Sequence, residues 1–266
     1  MNPERLVFGI IVGTVVLVIV LLIVIKSVGL RGLEHFQNYN HDTDAYIISM
    51  SDKVYKIAEY RLNGALSGSI KKFDAVKGSE LGSLVHDKDT LTLGALYDIS
   101  IPDYRRTHAE LGTKNAIGCY LSHVSLWKQL LASDKKGYFI FESDAICYEN
   151  LLKYTDNFLT NYENGHILFF GNFDKDKSSE IKKVTKRFYG MHAYFITRKG
   201  AELCLKYAFP IEQQIDSYLS DLLLLSMNPA FKDSEIPEVN FYIVNVCVQY
   251  NPAGTTIQKK GVLCSG

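Results

Sequence analysis

Hydrophobic and polar positions divide the chain sharply. Leu6 to Ile25 carries no charge and is built almost wholly of Val, Ile and Leu. At about 1.5 Å per residue, such a helix spans roughly the 30 Å of a bilayer's hydrocarbon. A signal peptide would have a shorter apolar core and a small-residue cleavage site after it. Lys26 and Arg31 follow here instead. The expectation is therefore a short tail (1–5), an uncleaved transmembrane helix (6–25) and a polar stalk without clear periodicity (26–43). With Arg5 on one side of the span and Lys26 and Arg31 on the other, the membrane side stays open. The basic-residue rule favours a cytoplasmic domain by one charge.

From residue 44 to 266 short apolar runs alternate with helical periodicity. Ala45 to Met50 reads as a buried strand, and Ser51 and Asp52 supply cap chemistry. Val54, Ile57, Ala58, Leu62 and Ala65 predict a helix over 52–66, and Ile70 to Val76 a second strand with Asp74 near its end. Strand, helix, strand opens a βαβ unit, in which an acid at that place reaches a ribose hydroxyl or simply serves a turn. Residues 79–114 read as a long loop with short helices; Arg105 and Arg106 are phosphate partners there or ordinary surface arginines. Ile117, Leu121, Val124, Trp127, Leu130 and Leu131 mark one face of a further helix. Gly118, Cys119, Ser122 and His123 stand near its start, where free N–H groups favour anions. The spacing then predicts a helix over 149–162, a strand over 166–171, a charged loop or lid over 175–186, a strand over 191–197 and a helix over 198–208. Pro210 starts a helix carrying Asp216 and Asp221, Phe241 to Val248 is a last strand, and Gln249 to Lys260 a turn-rich tail. The fold class is α/β, a sheet flanked by helices.

The pattern converges on Tyr138-Phe139-Ile140-Phe141-Glu142-Ser143-Asp144, four large apolar residues running into two carboxylates. If the strand continues, Glu142 and Asp144 share a face. Two buried acids repel unless a cation sits near them, and oxygen-only ligands suit Mg²⁺ or Mn²⁺. The plain alternative is a strand ending in a polar turn.

Composition narrows the classes. Lys plus Arg and Asp plus Glu both number 29, so the net charge of zero offers no electrostatic footprint for nucleic acid, and a phosphodiester-cleaving nuclease is disfavoured. Gly64 and Gly68 make neither GxGxxG nor a P-loop. The five cysteines form no CxxC pair and read as reduced, mostly buried thiols.

Several of these segments together resemble glycosyltransferase family 25, which includes lipo-oligosaccharide and collagen galactosyltransferases. The stretches are Ala45-Tyr-Ile-Ile-Ser-Met50, Phe73-Asp-Ala-Val-Lys-Gly78, Ile117-Gly-Cys-Tyr-Leu-Ser-His123, Phe139-Ile-Phe-Glu-Ser-Asp144 and His192-Ala-Tyr-Phe-Ile-Thr-Arg-Lys-Gly-Ala201, in the family's order. The resemblance implies a GT-A-like nucleotide-sugar-binding domain and transfer of a hexose, most often galactose, with inversion. It implies a nucleotide-sugar donor of the UDP-hexose kind, Mn²⁺ or Mg²⁺, a glycan or protein acceptor, and no nucleic acid. By position Glu142 and Asp144 fall on the metal motif, and Ser49, Met50, Asp74, Ala75, Val76 and Ser122 on segments beside the nucleotide. Asp216 is the first candidate for the base that takes the acceptor's proton, and His123 the second. Ser143 replaces the middle acid of the family's triplet, and Lys53, Lys56 and Arg61 stand where arginines are expected sooner. Those departures motivate one rival reading, a membrane-anchored binding module that keeps the fold and has lost catalysis.

Overall fold

The structure, a computed structural model, describes residues 42–82, 89–100, 107, 109–171, 178–231 and 236–250. Two compact units make up the chain, Met1–Asp42 and Thr43–Gly266. The expected membrane helix and most of the stalk lie outside the described residues, as do Arg105 and Arg106. Among the described residues no helix is long and apolar enough to cross a membrane.

A parallel trio forms one half of the central sheet: β1 (Thr43–Ser49), β2 (Lys71–Asp74) and β3 (Gly137–Glu142), with β1 in the middle. The helix α1 (Asp52–Arg61) joins β1 to β2, capped by the Ser51 hydroxyl, which accepts from Val54 N–H. The other half comprises β5 (Ile167–Phe169), β6 (Lys182–Lys183), β7 (Ala193–Thr197) and β8 (Phe241–Ile243). The order across the sheet is β2-β1-β3-β7-β5-β8-β6, with β7 antiparallel to both β3 and β5. β3 lies inside this sheet, so its apolar residues are covered on both faces; Tyr138, Phe139, Ile140 and Phe141 are all buried.

Alternate side chains feed two layers. Tyr138 and Ile140 join Tyr46, Ile48, Tyr194 and Ile196 in a core that also takes Val124, Trp127 and Leu130 from α3 (Lys114–Ala132) and Leu219 and Leu223 from α6 (Ile215–Met227). On the opposite face Phe139 packs on Phe195 and Phe170, and Phe195 on Phe158 of α4 (Leu152–Asn161). The remaining helices are α2 (Leu93–Ser100), within the segment expected to be a long loop with short helices, and α5 (Arg198–Lys206).

Three expectations are corrected. The last apolar run is two strands. β8 stays in the main sheet, and after a bend at Val244–Val246 the chain forms β9 (Cys247–Gln249), antiparallel to β4 (Ala145–Cys147). That pairing sets Cys147 opposite Cys247, and the two form a disulfide. The cysteines lie 100 residues apart, so their spacing carried no sign of proximity; Cys119 and Cys204 are free, and Cys264 lies outside the described residues. Closing a loop of this length stabilises the fold by about 4–5 kcal/mol in the chain-entropy account. Gly171 lets the ribbon approach, since a Cβ there would stand 2.2 Å from the Cys247 carbonyl oxygen. Third, the helix expected from Pro210 begins at Ile215, because Ile211 is spent on a bridge to Leu91.

One side chain ties α3 to the second half of the sheet. Arg198 donates from Nη1 to the carbonyls of Leu130, Ser133 and Lys135 and from Nη2 to Leu131, satisfying the carbonyl-rich end of α3. The Arg198→Ala variant is expected to lose about 2–4 kcal/mol in urea denaturation, since several partly buried acceptors lose a charged donor at once. Lysine, with no planar fork, should recover only a minor part.

Candidate active site

The carboxyl ends of the three parallel strands meet at one edge. Ser49 pairs in register with Asp74, and Ile48 with Glu142. Ala75 N–H donates to the Ser49 carbonyl at 3.0 Å. Ser49 is buried, while Met50 and Asp74 are exposed. Asp74 pairs with Lys72, whose Nζ also meets Asp52, both at 2.6 Å. Residues expected beside the nucleotide therefore gather at the edge where Glu142 ends β3.

β3 stops at Glu142, and Ser143 and Asp144 form a turn into β4. The pleat does not carry Asp144 onto the face of Glu142, as the alternation had predicted. Asp144 turns to the ribbon instead. Its Oδ2 accepts from Gln249 Nε2 at 2.7 Å, and its backbone carbonyl from Tyr250 N–H at 2.7 Å. Oδ1 is buried with no partner among the described residues. The Arg61 guanidinium stacks on the Tyr250 ring, 4.0 Å from its centroid.

The segment Gly118 to His123 is scaffolding for this edge. Thr113 caps α3 through its hydroxyl, so the helix starts at Lys114 and these residues lie past its first turn. Their N–H groups are not the free donors that the apolar periodicity suggested. A Cβ at Gly118 would stand 2.2 Å from the Val76 carbonyl oxygen, so only glycine allows this approach. The Ser122 hydroxyl donates to Gly118 O at 2.7 Å and accepts from Val76 N–H at 2.9 Å. Fully buried and engaged both ways, Ser122 holds the loop after β2 and is not exposed to a nucleotide.

His123 is fully buried as well. Trp127 Nε1–H donates to Tyr194 Oη at 3.0 Å, and the same oxygen stands 2.9 Å from His123 Nδ1. His123 Nε2 lies 3.6 Å from Glu142 Oε1, an electrostatic contact longer than a hydrogen bond. Its two ring nitrogens therefore face Tyr194 and Glu142.

Opposing forces act on the acids. Burial alone would push Glu142 up, but His123, seconded by His192, holds it below the ordinary carboxylate range. Asp144 is pushed up to about 7, first by burial and then by the charge of Glu142; the bond from Gln249 and the charge of Arg61 only partly offset this. Burial, then Glu142, Asp216 and Asp144, raise the Cys119 thiol well above its usual range. Three carboxylates, two from the end of β3 and the turn after it and one from α6, thus act on one sulfur. Asp216, in the first turn of α6, accepts from Gly190 N–H and from Ser217 N–H, each at 2.8 Å. Asp221, one turn on, binds Arg187 and Gln213.

Among the described residues, Cys119, His123 and Glu142 form the group of three metal-capable side chains, with donor atoms within 4.8 Å of one another. A thiol held protonated is a poor ligand for a hard ion. The better fit to Mg²⁺ or Mn²⁺ is the carboxylate pair: Asp144 keeps a buried, unpartnered oxygen, and its mutual repulsion with Glu142 is what a divalent cation relieves. Sequence reasoning assigned no role to Tyr194, Trp127, His192 or Gln249. The aromatic pair read as core, and Gln249 as the start of a tail, because no local pattern records a partner 105 residues away.

Comparison with known proteins adds a family. Residues 42–219 match the model described as "Glycosyltransferase family 25 (LPS biosynthesis protein)". No curated protein matches. Among solved structures, A197 from STIV is 11% identical, with 82% of this chain and 98% of that one covered, at a TM-score of 0.37. Mouse xyloside xylosyltransferase 1 is 8% identical, with 76% and 85% covered, at a TM-score of 0.38. Similarities this low carry no argument about the site.

The raised Asp144 pKa has a sign for stability. Folding strengthens this group's hold on its proton, so its contribution is complete below pH 4, near the unfolded value, and is lost as pH rises toward and through about 7. In metal-free protein, Asp144→Asn should therefore raise the melting temperature at pH 8 and change it little at pH 4. The ceiling is about 4 kcal/mol, reduced by partial exposure to solvent. Calorimetry in chelator at both pH values measures the difference.

Proposed function

The chain belongs to glycosyltransferase family 25 and is a glycosyltransferase, and on that premise we propose that it moves a hexose, galactose first among the choices, from a UDP-type nucleotide sugar to a hydroxyl of a glycan or protein, with inversion, on a GT-A-like domain. What carries this reading is the convergence of Glu142, Asp144 and Asp216 on one partly buried neighbourhood at the carboxyl edge of the parallel strands. Ligands of open α/β sheets bind at such an edge.

In this reading Ser49, Met50, Asp74, Ala75 and Val76 line the nucleotide side, with exposed Asp74 available to a ribose hydroxyl once it leaves Lys72. Asp144, through its unpartnered oxygen, and Glu142 would hold Mn²⁺ or Mg²⁺. Such an ion supplies positive charge against the departing diphosphate. Glu142 is kept ionised by His123, so it is ready to bind without first losing a proton. Asp216 takes the proton of the acceptor hydroxyl. The two backbone N–H groups orient its carboxylate.

The apolar segment 6–25 is proposed as a membrane anchor. The Cys147–Cys247 disulfide supports placing the transferase domain on the oxidising side of that membrane, against the one-charge preference of the flanking basic residues.

Transfer is tested on the full chain in detergent, with a panel of nucleotide sugars in the presence and absence of Mn²⁺. Asp144→Ala should abolish turnover and leave the circular dichroism spectrum unchanged; wild-type turnover by that variant would overturn the assignment of Asp144. Asp216→Asn should lower kcat by about 10²–10⁴-fold with donor affinity retained; loss of donor binding instead would place Asp216 on the nucleotide.

A further inference from the structure

We infer that Gln249 is a positioning residue for Asp144, and that the Cys147–Cys247 disulfide keeps it in place; the inference rests on the reading of Asp144 as a metal-holding residue. A carboxylate on a two-residue turn is free to swing about its side-chain torsions. Two bonds from one short segment remove that freedom. Gln249 Nε2–H holds Oδ2, and Tyr250 N–H holds the Asp144 backbone carbonyl, both at 2.7 Å. Oδ1 is then the oxygen left over, buried and unpartnered. Partners of this kind, which orient a ligand without touching the metal, typically govern affinity by 10- to 100-fold.

The segment that supplies these bonds is anchored at Cys247, whose N–H donates to Phe170 O at 2.7 Å, and beyond it by a short ribbon and the Arg61 guanidinium over the Tyr250 ring. The ribbon is three rungs long, Ala145 with Gln249, Ile146 with Val248 and Cys147 with Cys247. Two-stranded ribbons of that size are marginal in water. Ala145, Cys147 and Cys247 of the ribbon are buried, while Val248 is 39% exposed and Tyr148, next to the ribbon, 69%. The covalent bond sits on the last rung, two residues from Gln249. It restrains a segment that is otherwise remote in sequence from the acid it serves. Breaking it adds two electrons and two protons to Cys147 and Cys247, while a dithiol reductant is oxidised to its cyclic disulfide. The reverse step, exchange with an external disulfide, restores the ribbon.

The test reads Mn²⁺ affinity by electron paramagnetic resonance on the purified full-length protein, apart from turnover. Gln249→Met keeps the shape and removes the donor; Gln249→Lys restores a donor. The inference expects affinity about 10- to 100-fold weaker in Gln249→Met, partly rescued in Gln249→Lys, with circular dichroism unchanged. The wild type reduced with dithiothreitol and desalted under argon should weaken likewise, lose hydrogen-exchange protection at the Tyr250 amide, and recover both on reoxidation. That comparison needs no variant to fold. Unchanged Mn²⁺ affinity in Gln249→Met and in reduced protein, with binding lost in Asp144→Ala, would overturn this inference and leave the metal reading intact. Undiminished Mn²⁺ binding by Asp144→Ala would overturn both.

Discussion

Charge at the end of a dehydrated strand is the constraint on which this molecule depends. β3 is buried because it lies inside the sheet, and it delivers Glu142 to an edge where water has largely been replaced by protein. A carboxylate moved from water to such a place loses several kcal/mol of solvation unless oriented dipoles replace it. The replacement comes through a chain of polar contacts that starts in the core. Trp127 orients Tyr194, Tyr194 orients His123, and His123 presents Nε2 to Glu142. The indole and the phenol lie deep in the apolar layer, so their polar atoms are at once satisfied and immobilised. The same packing that stabilises α3 against β7 thereby sets the protonation state of the acid at the strand's end.

Asp144, two residues on, meets a different environment. The charge of Glu142 repels its own, and a glutamine donates to it. Neighbouring acids pushed apart in this way commonly divide their duties. In the proposed function one is ionised at rest, and the other would ionise when a cation binds. The division arises from which element backs each acid, α3 for Glu142 and the carboxyl-terminal ribbon for Asp144, and not from the acids themselves.

Much of this was legible along the chain, for identifiable reasons. Continuous apolar runs are unambiguous when both faces of a strand are covered, so β1, β3 and β7 stood out, and the opening strand–helix–strand unit follows from periodicity alone. Glu142 and Asp144 stood out as acids abutting an apolar run, and Asp216 through the family resemblance alone. Their surroundings did not. Whether a strand ends at Glu142 or continues to Asp144 depends on β4, and β4 exists only because Cys247–Gln249 pairs with it from far away. Ser122 and His123 looked like reactive groups near a helix start. Their burial is decided by Val76 and Tyr194, on other elements. Local pattern recovers what local forces determine; the roles of Gln249 and the disulfide are long-range and left no trace in it.

The ribbon also orders events in time. A ribosome delivers the two acids about a hundred residues before the segment that orients one of them. Until Gln249 has emerged and the second cysteine has met the first, a nascent chain carries a nearly complete sheet with an unfinished centre. In the proposed function competence thus waits on that later segment, and any change that disturbs the chain near Tyr250 will be felt at a turn made long before it.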